Sequence, residues 1–92
     1  MKNLLIDAAQ RGIIYRQTIE NRNIIPAPKA IQRLEELDEP LPEQPTDPLT
    51  VLQMLDEIGS PATMATAGGR FFGFVIGSSL PAALAANWLA GA

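Results

Sequence analysis

The sequence predicts a mainly α fold, three to four helices joined by proline-rich and extended links. Apolar residues recur at spacings of three and four in several stretches, which is the helical period. Eight prolines punctuate the chain between those stretches. The one run rich in aromatic and β-branched residues, Arg70 to Ile76, alternates poorly and is short.

Residues 3 to 20 read as the first helix. Leu5, Ala8, Ala9, Gly12, Ile13 and Ile19 fall near one face, and Asp7, Gln10, Arg11 and Thr18 are placed to look outward. Asn3 is the candidate N-cap. Arg16 lands inside the apolar stripe. Its simpler reading is a packed stem with the head in water, and the sharper one is a contact to a partner's acid. Asn21, Asn23, Pro26 and Pro28 then end the helix. Ile24 to Pro28 reads as an extended connector whose two isoleucines pack on a neighbour.

A second helix is expected over 29–38, with Ile31, Leu34 and Leu37 as a narrow apolar edge. Glu35, Glu36, Asp38 and Glu39 crowd its C-terminal end, where the helix dipole disfavours anions. Neighbours must therefore hold it. The acidic cluster reads as a solvated face in preference to a metal site or a pair of catalytic carboxylates, because no other residue converges on it. Pro40, Pro42, Pro45 and Pro48 make the next link extended and stiff. A spacer between helices explains it better than a proline-rich recognition ligand.

The third helix, 48–58, has the clearest ends. Asp47 is the N-cap, Pro48 takes the first helical position and Gly59 is placed to close the C-terminus. Val51, Leu52, Leu55 and Ile58 form its stripe, with Gln53, Asp56 and Glu57 facing away. The small residues of 62–69 read as irregular, Gly68-Gly69 as a turn, and Gly73 as a close backbone approach. Arg70 to Ile76 reads as extended. A fourth helix begins at Leu80 or Pro81, capped by Ser78 or Ser79, and runs to about Ala90.

Composition excludes several functions. Ninety-two residues make one small domain whose core is marginal alone. The chain has no cysteine and no histidine, which removes thiolate chemistry, the commonest general base and the commonest metal ligand. A net charge of −3 and a pI near 4.7 oppose nucleic-acid binding, and the seven basic residues form no dense run. Leu4-Leu5-Ile6 is too short an apolar run for a secretory signal, so the cytoplasm is the expected compartment.

The last third is the most distinctive stretch. From Phe71 to Ala92 there is no charge, and it holds all three phenylalanines and the only tryptophan. As one helix it would span roughly 33 Å, enough for a bilayer core. Gly77-Ser78-Ser79 and Pro81 divide it, and no Lys or Arg follows to anchor it, so membrane insertion is disfavoured. The glycines match neither phosphate-loop pattern, and a serine without histidine or GxSxG makes no nucleophile elbow.

Residues 70–89, Arg-Phe-Phe-Gly-Phe-Val-Ile-Gly-Ser-Ser-Leu-Pro-Ala-Ala-Leu-Ala-Ala-Asn-Trp-Leu, resemble the N-terminal region of the pyridoxal-phosphate-dependent group II decarboxylase family. That family includes many bacterial proteins called aspartate aminotransferase family proteins. Leu41 to Pro48, with Val51-Leu52, resembles the family's linker and third helix. The resemblance covers most of the chain, with residues 21–34 the loosest part.

It implies that 1–69 form the N-terminal helical arm of a fold-type I pyridoxal-phosphate enzyme. Residues 70–92 would be an extended segment and the first helix of the large domain, the chain stopping before the α/β cofactor domain. Such an arm packs over a partner subunit and is not expected to be stable alone. The implied partners are a second copy or the large domain, and the implied substrate is an amino acid reached through the parent enzyme. The resemblance places Phe74, Val75, Ile76 and Gly77 in the substrate-cavity wall. The polar groups that aromatic-amino-acid relatives carry there, a tyrosine-type hydroxyl, a proline and a threonine, are missing, and the segment is one residue shorter.

The family's Schiff-base lysine, stacking histidine and pyridine-nitrogen aspartate lie in the large domain. Lys2 and Lys29 match none of those motifs. No catalytic, cofactor-binding or metal-binding residue is therefore expected in this chain, and pyridoxal phosphate belongs to the full-length family alone. The alternative is a small helical interaction protein, or a single-span membrane anchor, that uses the apolar tail 71–92.

Overall fold

The computed structural model describes residues 1–92. Four helices and no strand make up the regular structure: α1 (Lys2–Thr18), α2 (Pro28–Gln32), α3 (Pro48–Met54) and α4 (Pro81–Gly91). The mainly α architecture is thus the one the sequence predicts. Short 3₁₀ turns extend α1 through Ile19–Asn21 and α2 through Arg33–Leu37. The link from Asp38 to Asp47 is exposed throughout and has no regular structure, as its three closely spaced prolines favour.

Several helix ends differ from the expectation. Asn3 is not the cap of α1, because the helix already begins at Lys2 and Met1 precedes it. At the other end the Thr18 hydroxyl donates back to the Ile14 carbonyl at 2.8 Å, and the chain tightens into its 3₁₀ turn there. α3 does start at Pro48 behind Asp47. Gly59, however, does not close it. Its φ of −73° and ψ of −50° are right-handed helical, and the chain continues through a π turn (Leu55–Gly59) and a 3₁₀ turn (Ser60–Ala62). Pro61 is tolerated near the start of that 3₁₀ turn because a backbone N–H there would have no partner within the turn. Neither Ser78 nor Ser79 caps α4. Leu80 takes that place, and the Ser78 hydroxyl is committed to the Ala67 carbonyl.

The inward face of α1 is also different. Asp7, Arg11, Gly12, Tyr15 and Arg16 are half-buried and Ile19 is buried, while Leu5, Ala8, Ile13 and Ile14 stay exposed. Arg11 explains the rotation: it donates to Asp7 one turn away at 2.7 Å and to Asp56 beyond α3 at 2.9 Å. These hydrogen bonds, to Asp7 first and Asp56 second, hold its guanidinium above its ordinary pKa. Asp56, expected to face away, is therefore turned toward α1. Gly12 lets α4 approach, since a Cβ there would lie 3.3 Å from the Trp88 ring. Of the connector's two isoleucines, Ile24 is half-buried and Ile25 is exposed.

The core is small. Ile19, Ile58, Ala65 and Phe71 are the only buried hydrophobic residues. The accessible surface is 7345 Å², against about 5,200 Å² for a folded monomer of this mass. The radius of gyration is 15.0 Å, against about 12 Å for a compact chain of this length. The molecule is open, and much of its apolar surface faces outward.

Candidate functional site

The residues around the expected cavity-wall segment are set by the C-terminal end of α1. Ile19, in the 3₁₀ turn that ends that helix, points into the middle of the chain. There it meets Gly68, where a Cβ would come within 3.4 Å of Ile19 Cγ1. Ala65 and Phe71 bury beside it. Gly68 is itself buried where this loop closes on the helix.

Polar clamps then fix the loop's backbone. Arg16 Nη1 donates to the Ala67 carbonyl at 3.1 Å, so its half-buried side chain reaches from α1 to this loop. The Gly69 amide donates to Glu20 Oε1 at 3.0 Å. Arg22 lies 4.7 Å from the Tyr15 ring centre and donates to both Ser60 Oγ (3.0 Å) and the Ser60 carbonyl (2.7 Å). Arg70 donates to the Arg22 carbonyl at 2.8 Å. Arg16 and Glu20 thus bond backbone groups of the loop itself, while Arg22 and Arg70 tie the segments on either side of it together.

This frame presents Phe74, Val75, Ile76 and Gly77 together on one loop. The segment is not extended throughout. Phe74 and Val75 both have φ of 57°, and the Ile76 amide donates to the Gly73 carbonyl at 3.1 Å, which closes a turn. Phe74 stacks on Phe71 with ring centres 6.3 Å apart and planes 24° apart. Phe72, Phe74 and Val75 are 93 %, 83 % and 105 % exposed. The four residues line none of the larger clefts. They form an apolar wall that offers only backbone groups for hydrogen bonding. Gly73 makes room for the Phe71 ring, not for a backbone strand: a Cβ there would lie 2.8 Å from Phe71 Cζ.

An open cleft of about 480 Å³ lies between the starts of α1 and α3, lined by Leu4, Ile6, Leu49, Asp7 and Asp47 among others. The acids of α2's turn do not converge. Glu36 pairs with Arg33 at 2.8 Å, and no group of three acids is placed to hold a metal ion.

Pyridoxal phosphate needs a lysine amine for its aldehyde and a partner for its ring nitrogen. Lys2 and Lys29 are both exposed, and Lys29 shares its open cleft with the carboxylates of Glu35 and Glu36, which repel a phosphate. This donor set does not fit the cofactor.

Two features escaped the sequence reading. The Arg11–Asp7 pair was legible as an i, i+4 contact, but its extension to Asp56 was not. The Arg22 clasp on Ser60 joins residues 38 apart in the chain and has no sequence signature. Comparison of the chain with protein families, with characterised proteins and with solved structures finds no match.

Proposed function

We propose that this chain is the N-terminal helical arm of a pyridoxal-phosphate-dependent amino-acid decarboxylase or aminotransferase of the group II family. Its work is dimerisation and the building of a substrate-cavity wall, and it performs no catalysis of its own. The resemblance of residues 70–89 carries this reading. The surface supports it: the excess over a compact monomer, roughly 2,100 Å², is of the size one side of an obligate interface buries. Under this reading Phe74, Val75, Ile76 and Gly77 become an apolar wall when a large domain and a second subunit cover them. The parent enzyme, with its cofactor and amino-acid substrate, is cytoplasmic.

Two measurements test it. The coding DNA past codon 92 is expected to carry, in frame or in an adjoining frame, a large domain with a Schiff-base lysine; its absence overturns the proposal. Mixing the purified chain with pyridoxal phosphate is expected to give no internal-aldimine absorbance. A specific band from this chain alone overturns the non-catalytic role.

The exposed Leu5, Ile13, Ile14, Phe72 and Leu89 also favour a second reading, a small helical protein that buries its apolar faces against another copy. Sedimentation distinguishes it: a stable oligomer with no large domain encoded nearby supports this reading, and a well-behaved monomer refutes it. No helix of the structure is long and apolar enough to cross a membrane, and within the tail 71–92 only the eleven residues of α4 are helical.

A further inference from the structure

Phe74 and Val75 are the only non-glycine residues with positive φ, and no glycine has one. The turn they form has positive φ at both central positions, the kind that Gly, Asn and Asp normally fill. An aromatic and a β-branched residue are poorly suited to it. Each L-residue held there biases the chain against the turn by roughly tenfold. Burial does not compensate, because both side chains are exposed. What opposes the strain is one hydrogen bond, Ile76 N–H to the Gly73 carbonyl, and the stacking of Phe74 on Phe71.

The two ends of this segment are held differently. At its start Phe71 is buried and Arg70 is bonded to the Arg22 carbonyl. At its far end an exposed hydroxyl, Ser78 Oγ, reaches the Ala67 carbonyl at 3.0 Å, three residues before α4 begins, and the next hold is Trp88 of α4 against Gly12. Straightening a turn lengthens the chain between its ends. The weaker end must then let go.

We propose that residues 73–78 are a two-state strap. In one state the strained turn folds Phe74 onto Phe71 and the Ser78 latch is closed. In the other, Phe74 and Val75 return to negative φ, Phe74 leaves Phe71 and the latch opens, while Trp88 keeps α4 against Gly12. The strap belongs to this chain by itself and does not depend on the enzyme reading.

NMR on the full chain with two opposed substitutions at one position tests it. Val75→Gly removes the strain and is expected to raise the exchange protection of the Ile76 amide roughly tenfold. Val75→Pro fixes φ near −65° and is expected to abolish the Phe71–Phe74 ring contact while amides of α1 keep their protection. Ser78→Ala is expected to lower Ile76 protection by opening the latch. An Ile76 protection within twofold of the parent in Val75→Gly, or a Phe71–Phe74 contact that survives Val75→Pro, overturns the strap. Because Val75→Gly leaves every packed side chain in place, it decides the matter even if the proline variant loses structure.

Discussion

Gly73 and Gly77 lie four residues apart in the same loop, and the same substitution should act on them in opposite directions. Neither has a positive φ, so alanine meets no backbone penalty at either. At both positions it lowers the entropy of the unfolded chain, a gain of about 0.4–1 kcal/mol. What differs is the space. A Cβ at Gly77 meets nothing within 4 Å. A Cβ at Gly73 falls 2.8 Å from Phe71 Cζ and 3.2 Å from Cε1, where carbon contacts settle at about 3.5–4.0 Å. The ring tip has to withdraw by about 0.7 Å or more. Phe71 is one of four buried apolar side chains, so its withdrawal disturbs a large share of the core. Overpacking of this kind costs about 1–3 kcal/mol.

The unfolded-state gain is common to both variants, so their difference isolates the ring contact. Gly77→Ala should be slightly more stable than the parent, and Gly73→Ala should lie about 1–3 kcal/mol below Gly77→Ala. For a chain of this length that is a gap of at least about 4 °C in Tm. Urea unfolding followed by far-UV circular dichroism, at matched protein concentration, measures it. Equal stability of the two alanine variants would refute the placement of Phe71 over Gly73, and with it the packing at the base of the turn.

Two further predictions concern the clamps. Arg22→Ala removes two hydrogen bonds to Ser60 and the contact with Tyr15; a loss of about 1–3 kcal/mol is expected in the same unfolding assay. Arg22→Lys should recover little of it, because a point ammonium cannot make both bonds and stack. The hydrogen bond from Arg33 holds the Glu36 carboxyl below its ordinary 4.5. The pair's contribution is then full above that ordinary value and is lost as pH falls through the lower folded value. Both groups are exposed, so the effect is small. Thermal melts of Glu36→Gln should fall slightly below the parent at pH 6 and coincide with it near pH 2, and a gap that widens toward acid would refute the pairing.

The parts of the fold that were legible in the sequence are those with a local cause. Pro48 behind Asp47, and Pro81 at the head of α4, start helices because a locked φ and a missing N–H act within one turn of the residue that carries them. The exposed link 38–47 follows from its prolines in the same way. That Phe74, Val75, Ile76 and Gly77 share one stretch is equally a property of the chain. Their positive φ values are not, because nothing in Phe-Val asks for a left-handed turn.

What only the tertiary structure decided is the orientation of those pieces. α1 has apolar residues on more of its circumference than so small a molecule can cover. The face that turns inward is selected by Arg11 reaching Asp56 and by Trp88 lying against Gly12. Gly59 could have ended α3, but the π turn and the approach of Arg22 to Ser60 carry the chain onward. Each of these choices couples residues 38 or more positions apart, so no local pattern could contain it. Sequence alone determined where helices start and which stretch is apolar. Long-range hydrogen bonds to a few arginines determined which of that apolar surface is left facing outward.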